Sequence, residues 1–405
     1  FKQKTAYEIP KRDWSSDVCS SDLSMLPRLK PRTFYDLVVE VAIVRPGPIQ
    51  GGMVHPYLKA RARRDAGLPM RFENPALEPA LGRTLGVPIF QEQVMQIAMI
   101  AAGFSAAQAD ALRRSMAAWK RKGGVHRFYQ PIIDGMLARG YRREFAEGIF
   151  RQILGFGEYG FPESHAYSFA LLAYASSWLK CHEPACFLAA LLNSLPMGFY
   201  GPSQLVQDAR RHGVQVRPVD VMHSEIDCTL EPVEGEHQPA VRLGLRLVAH
   251  LGDAAAGRLC RARMQAPFAS VDDLARRAEL DAQDLDALAA ADALQSLAGH
   301  RRQQVWQAAA RQRPPPLLRQ APVHEDALPL TPASEGEEIL FDHAALGLSL
   351  RRHPLALLRE RLSRHGVISA QQLEQTRQGQ PVRVCGIVTV RQQPSTAKGM
   401  VFVTL

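Results

Sequence analysis

Several things are scarce in this chain of 405 residues, and each absence removes a class of function. The six cysteines, Cys19, Cys181, Cys186, Cys228, Cys260 and Cys385, are scattered and none forms C-x-x-C. That spacing fits neither a zinc ribbon nor a redox pair, and predicts reduced thiols. Cys181-His182 and Cys186 offer three soft ligands but no neighbouring fourth, with Pro184 between them, so buried thiols are expected there rather than zinc. No apolar run approaches the roughly 20 residues a bilayer requires, and no secretory signal pattern is present. The expected setting is therefore cytoplasmic, without a membrane. Phosphate-binding loops of the Walker or G-x-G-x-x-G type are missing. The only Asp-x-Asp is Asp284-Leu285-Asp286, in an Ala-rich helical stretch. Residues two apart on a helix point different ways, so solvated surface is expected there, not a metal site. No catalytic centre is visible. Lysine is scarce beside arginine, yet the net charge is +9, which favours a polyanionic partner.

What remains is mainly helical. Residues 1–23 lack a sustained period of 2 or 3.6 and resemble translated sequencing-adapter read-through, so they are set aside from fold reasoning. Thr33 can cap a helix with Phe34, Leu37, Val38 and Val41 on one face, ending before the rigid turn Arg45-Pro46-Gly47-Pro48. The basic run Tyr57–Arg64 reads as a solvated loop. Ile89–Gly103 is a helix with the stripe Phe90, Val94, Ile97, Ala98 and Ala101. Ser105 and Gln108 form a capping box that opens the next helix, on which Leu112, Met116 and Trp119 face the core. Arg113 and Lys120 lie on one flank of it, Arg114 and Arg121 on another. From Ala111 to Arg127 there is no acidic residue, so these cations are expected to lack local neutralisation and to suit phosphate.

Gly155 to Asn193 organises the chain. Gly155, Gly157 and Gly160, interleaved with Phe156, Tyr159 and Phe161, form a turn that can approach a ligand closely. Pro162 fixes the entry and Ser164 is the expected N-cap of a helix to about Lys180. That helix is apolar nearly all round, which predicts burial. Pro184 restarts the chain into a second buried helix. The polar turn Glu163-Ser164-His165 is thus carried on two helices, as a packed hairpin or as a ligand-facing turn. Further on, Pro202–His212 is helical, Val214–Val221 and Ala240–Leu245 are short strands, and Gly252–Arg263, Ser270–Ala278, Asp284–Ala291 and Arg301–Arg311 are short helices. Paired short helices of this kind can be helix-hairpin-helix units that grip phosphates.

The runs AIVRPGPIQGGMVHPYL (42–58), GVPIFQEQVMQIA (86–98), ADALRRSMAAWKRK (109–122), GEYGFPESHAYSFALLAYASSWLKCHEPACFLAALLNS (157–194) and MGFYGPSQLVQDARRHGV (197–214) resemble the fingers of bacterial C-family DNA polymerases, the alpha-subunit class of polymerase III. The P-E-S-H turn and the MGFY run resemble the error-prone, translesion subfamily more than the main replicase. The resemblance implies a fingers domain over 24–239, helix-hairpin-helix segments over 240–311, a Pro-rich linker over 312–338, a helical connector over 339–380, and the start of a β OB-fold over 381–405. It implies that Arg113 and Arg114 reach the triphosphate, that Tyr159, Gly160, Phe161, Ser164 and His165 line the nucleotide pocket, and that Lys120, Arg121 and Lys122 contact DNA. It also implies template-directed addition of deoxynucleotides to a primer 3′ end, with Mg²⁺ held by aspartates of a palm that no residue of this chain matches. Expected partners are primer-template DNA and deoxynucleoside triphosphates, and beyond them a sliding clamp and accessory mutagenesis proteins. A main replicative alpha subunit and a non-catalytic DNA-binding scaffold are the alternatives. His250 stands where the first hairpin usually has glycine, which puts close approach of that backbone to a phosphate in question.

Overall fold

The structure is a computed structural model describing residues 25–45, 49, 52–70, 72, 74–117, 124–155, 162–197, 200–310, 328–393 and 399–404. The chain divides into two compact units, residues 1–181 and 182–405. Both are mainly helical, as the periodicities predict. The leader 1–23, the turn 46–48, Trp119 and most of the Pro-rich stretch lie outside the described residues.

In the first unit, α1 (Phe34–Ile43) starts at a capping box in which Thr33 and Asp36 satisfy each other's backbone N–H groups. Its buried face is Val38, Val39, Ala42 and Ile43; Leu37 and Val41 are only partly buried and Phe34 is exposed. The expected face is thus turned, because Asp36 and Glu40 are drawn inward with it. The basic run expected as a loop is helix α2 (Val54–Asp65). Its Arg61 is buried, donating to both Asp36 oxygens at 2.6 and 3.1 Å and to the Lys30 carbonyl at 2.9 Å. Tertiary pairing overrides the loop-like composition here: the helix turns Arg61 inward while Lys59 and Arg64 stay exposed and Arg63 is half-buried. Burial raises the Asp36 carboxyl, but Arg61 and the N–H groups of Arg32 and Thr33 outweigh it and hold the group well below the usual carboxylate range.

α3 (Gln91–Ile100) and α4 (Ala106–Ala117) form a packed hairpin. The stripe Phe90, Val94, Ile97, Ala98 and Ala101 is buried, Gly103 takes φ +73° at the stop, and Ser105 and Gln108 make the expected box. Leu112 and Met116 complete the core with α5 (Tyr129–Ala138) and α6 (Arg143–Gly155). α7 (Glu163–His182) departs from expectation. Only Ala166 and Ala170 are buried, while Phe169, Leu171, Leu172, Tyr174 and Trp178 are exposed. The helix meets the core of the first unit through these two alanines, and its large side chains face outward.

In the second unit, α8 (Pro184–Asn193) buries Ala185, Leu188, Ala189 and Leu192. Of the thiols expected to be buried beside it, Cys181 is exposed and Cys186 half-buried, whereas Cys228 and Cys260 are buried. α9 (Pro202–Arg211) ends at Gly213, φ +84°. A small sheet follows: β1 (Val216–Arg217), β2 (Thr229–Glu231) and β3 (Ala240–Arg242), in the order β1-β3-β2, with β1 parallel and β2 antiparallel to β3. Arg217 and Arg242 converge on Glu231 across it.

α10 (Asp253–Gln265), α11 (Val271–Arg277), α12 (Ala282–Ala290) and α13 (Arg301–Ala309) are the four short helices anticipated. His250, before α10, takes φ +67°, so this histidine adopts the left-handed backbone that glycine would supply. Asp284 is not surface as expected: it is buried at the start of α12, sharing a capping box with Asp281 and lying 3.4 Å from Arg258. α14 (Glu335–Leu346) begins at a Ser334 box, earlier than the composition suggested. Arg301 ties α13 to α14 through Glu338 at 2.6 Å and through Asp342, and Arg351 joins both carboxylates. At the end of the chain, β4 (Val390–Gln392) and β5 (Phe402–Thr404) pair antiparallel, a two-strand ribbon.

Replacing Arg61 by alanine leaves a buried carboxylate unpaired, which costs about 3–5 kcal/mol; the urea midpoint of the first unit should fall accordingly. Because the folded Asp36 pKa lies below that of the unfolded chain, this stabilisation is complete above about pH 4 and is lost as pH falls through the folded value. An Arg61→Ala protein with wild-type stability near neutral pH would contradict the assignment.

Candidate nucleotide-binding site

The start of α7 is built from residues far apart in sequence. Gln93 fixes the start of α3: its Oε1 accepts from the Ile89 and Phe90 N–H groups, and its Nε2 donates to the Ala80 carbonyl and the Thr84 hydroxyl. All its hydrogen-bonding capacity is used inside the core, so this helix end is rigid. The neighbouring Glu92 then reaches α7, where its carboxylate accepts the Glu163 backbone N–H at 3.1 Å. An acceptor carboxylate at a helix N-terminus both satisfies an open donor and suits the dipole.

The Glu163 side chain is held as firmly. Tyr35 on α1 donates its hydroxyl to it at 2.8 Å, and Arg83 pairs with it at 3.2 Å. The Arg83 guanidinium also lies over the Tyr35 ring, 4.3 Å from its centroid. Burial, reinforced by the hydrogen bond to Glu163, pushes the Tyr35 phenol well above its ordinary value, so it stays a donor. Tyr167, one turn into α7, meets Phe34 and Tyr35 with ring centroids 5.6 and 6.0 Å apart. Arg45 lies over Phe169 at 5.7 Å.

This frame presents Ser164 and His165, both exposed, in the first turn of α7. Ser164 is not the N-cap expected. The helix begins at Glu163, two residues before the start that a Ser164 cap implies, and the satisfying acceptor comes from Glu92. Tyr159, Gly160 and Phe161 fall outside the described residues, as do Lys120, Arg121 and Lys122.

Arg113 and Arg114 project from the C-terminal half of α4, with side chains 43% and 69% exposed. They are not without local counter-charge, as the acid-free window from Ala111 suggested. Asp110, one position before that window, takes Arg113 on Oδ1 at 2.8 and 3.0 Å and Arg114 on Oδ2 at 2.8 Å. The Arg113 hydrogen bond and the two positive charges hold the Asp110 carboxyl below its usual value. This partner was readable in sequence, since residues three and four apart share a helix face. Glu92, Tyr35 and Arg83 carried no such signal. Among the described residues, no three His, Cys, Asp or Glu side chains come together to hold a metal ion. No described helix is long and apolar enough to cross a membrane.

A helical unit presenting paired arginines, followed by paired short helices, defines a class. Residues 21–140 match the bacterial DNA polymerase III alpha subunit finger domain, and residues 213–304 match a helix-hairpin-helix motif. The first stretch is thus similar to a finger domain of the polymerase III alpha-subunit type, and the second to a helix-hairpin-helix motif. It is 57% identical to the error-prone DNA polymerase of Methylococcus capsulatus over 95% of this chain and 38% of that protein. To the error-prone DNA polymerase of Bordetella bronchiseptica it is 61% identical, over 98% of this chain and 39% of that protein. The corresponding protein of Azoarcus is 59% identical over 95% of this chain and 37% of its own length. The chain therefore spans well under half the length of these relatives.

Replacing Glu92 by alanine removes the acceptor at the start of α7. That should cost about 0.5–2 kcal/mol, as for other helix caps, and speed hydrogen exchange at the Glu163 amide while leaving the α4 amides unchanged. Unaltered protection of Glu163 would show that Glu92 does not hold this helix end.

Proposed function

We propose that this chain is the fingers and DNA-binding portion of an error-prone DNA polymerase that adds deoxynucleotides to a primer 3′ end across damaged template. The observation that carries the reading is the adjacent pair Arg113 and Arg114, standing on a rigid helix inside a segment that matches the polymerase finger domain. Guanidinium forks suit phosphate oxygens, and catalysis of phosphoryl transfer is largely a matter of positioning and charge stabilisation. In this reading the pair receives the triphosphate, and the turn of Tyr159, Gly160, Phe161, Ser164 and His165 lines the pocket. Glu92 already occupies the first open donor of α7, so the triphosphate falls to the arginines and α7 is left to meet the sugar and base.

The helix-hairpin-helix region and Lys120, Arg121 and Lys122 hold DNA through its backbone. The left-handed His250 keeps the hairpin shape that such a contact needs. The reaction uses Mg²⁺, for which no three His, Cys, Asp or Glu side chains come together among the described residues. The whole enzyme acts in the bacterial cytoplasm on primer-template DNA and deoxynucleoside triphosphates, with a sliding clamp and accessory mutagenesis proteins as its partners. The ribbon β4–β5 is the beginning of an OB-fold in this reading.

The test is a full-length M. capsulatus error-prone polymerase carrying residues 24–405 of this chain in place of its own segment. It should extend a primer, and Arg113→Ala should lower kcat/KM about 10- to 150-fold, the equivalent of one lost charged phosphate contact, with little change in melting temperature. Unchanged kinetics for both Arg113→Ala and Arg114→Ala would end this assignment.

His165 gives a second outcome. If its ring is a wall against the sugar, His165→Ala should raise the ratio of ribonucleotide to deoxynucleotide incorporation. An unchanged ratio with a lowered melting temperature would make it a brace of the turn instead.

A further inference from the structure

We infer that Asp110 is a displaceable internal counter-ion that sets both the affinity and the selectivity of the arginine pair for anions. The inference rests on the reading that Arg113 and Arg114 receive the triphosphate. Both carboxylate oxygens are committed, one to each arginine: Oδ1 to the Arg113 Nε and Nη2, Oδ2 to the Arg114 Nη2. The pair is therefore bridged by one carboxylate, and an incoming anion meets a cluster of net charge +1 rather than +2.

Two effects oppose each other when that carboxylate is removed. The arginines lose an anchor that keeps them side by side, which weakens anion binding. They also lose a full negative charge in direct contact, which strengthens it. The anchor is weak, because the arginines are 43% and 69% exposed and Asp110 is 36% exposed, and ion pairs this open to water hold side chains only loosely. The charge acts on every negative group of the ligand at close range. Competition therefore outweighs positioning.

Selectivity follows from the two-oxygen bridge. An anion takes the place of Asp110 only if it supplies acceptors to both guanidiniums at once and carries more charge than the carboxylate it replaces. A triphosphate does both. A single phosphate gains far less over the resident carboxylate. Asp110 thus acts as a threshold that passes triphosphates in preference to monophosphates and to the abundant monovalent anions.

The experiment measures binding of inorganic triphosphate and of inorganic phosphate to the 405-residue chain by calorimetry, for the wild type, Asp110→Asn and the double variant Arg113→Ala/Arg114→Ala. Asparagine keeps the size and one acceptor but not the charge, and the site is on the surface, so the fold is retained. Asp110→Asn should bind triphosphate about threefold to tenfold tighter at low ionic strength, with the gain shrinking as salt screens it. Its preference for triphosphate over phosphate should narrow. Unchanged or weaker triphosphate binding by Asp110→Asn, with binding lost in the double variant, would overturn the counter-ion role and leave the arginine assignment standing. Wild-type affinity in the double variant would remove both.

Discussion

A guanidinium buried against carboxylates pins each unit of this chain. Taking an ion out of water is expensive, and attraction to a partner offsets that only in good geometry. Arg61 meets the condition with both oxygens of Asp36 and the Lys30 carbonyl, Arg301 with Glu338 and Asp342. In the first unit the pair fixes α2 on α1, and α1 in turn brings Tyr35 to the start of α7. The presentation of Ser164 and His165 therefore depends on an ion pair in which neither takes part.

The same chemistry changes what the net charge means. A surplus of arginine suggests a surface open to polyanions, yet many of these side chains are spent inside the protein. Arg263 donates to the Val221 and Ser224 carbonyls, Arg277 to those of Pro267, Ala262 and Ala266, and Arg258 to Ala278 and Glu279. Arginine suits this work because its fork satisfies several carbonyl oxygens at once while keeping its charge. Arg113 and Arg114 differ in facing water, with a single exposed carboxylate shared between them.

Local signals were legible in the sequence. The box at Ser105, the stripe of α3 and the stop at Gly103 each depend on residues within a few positions, and each appears where spacing placed it. The strand β2 was not foreseen: it is three residues long and its burial does not alternate with a buried face. α2 was missed because a run of cations looks the same in a loop and on a helix until its buried partner is known. Glu92 and Tyr35 reach Glu163 across 71 and 128 residues, and no periodicity records such a contact. α7 shows the opposite error. Its composition correctly marks an apolar helix, but composition does not say that alanines rather than leucines and aromatics make the packed face.

The Arg301 network has a consequence for how this chain can vary. α13 and α14 are locked by their own charges, so the placement of α14 does not depend on how many residues join them. With both ends fixed, doubling the length of that connection adds only about 0.6 kcal/mol of loop-closure entropy. Lengthening the connection ahead of the Ser334 box should therefore cost the fold little.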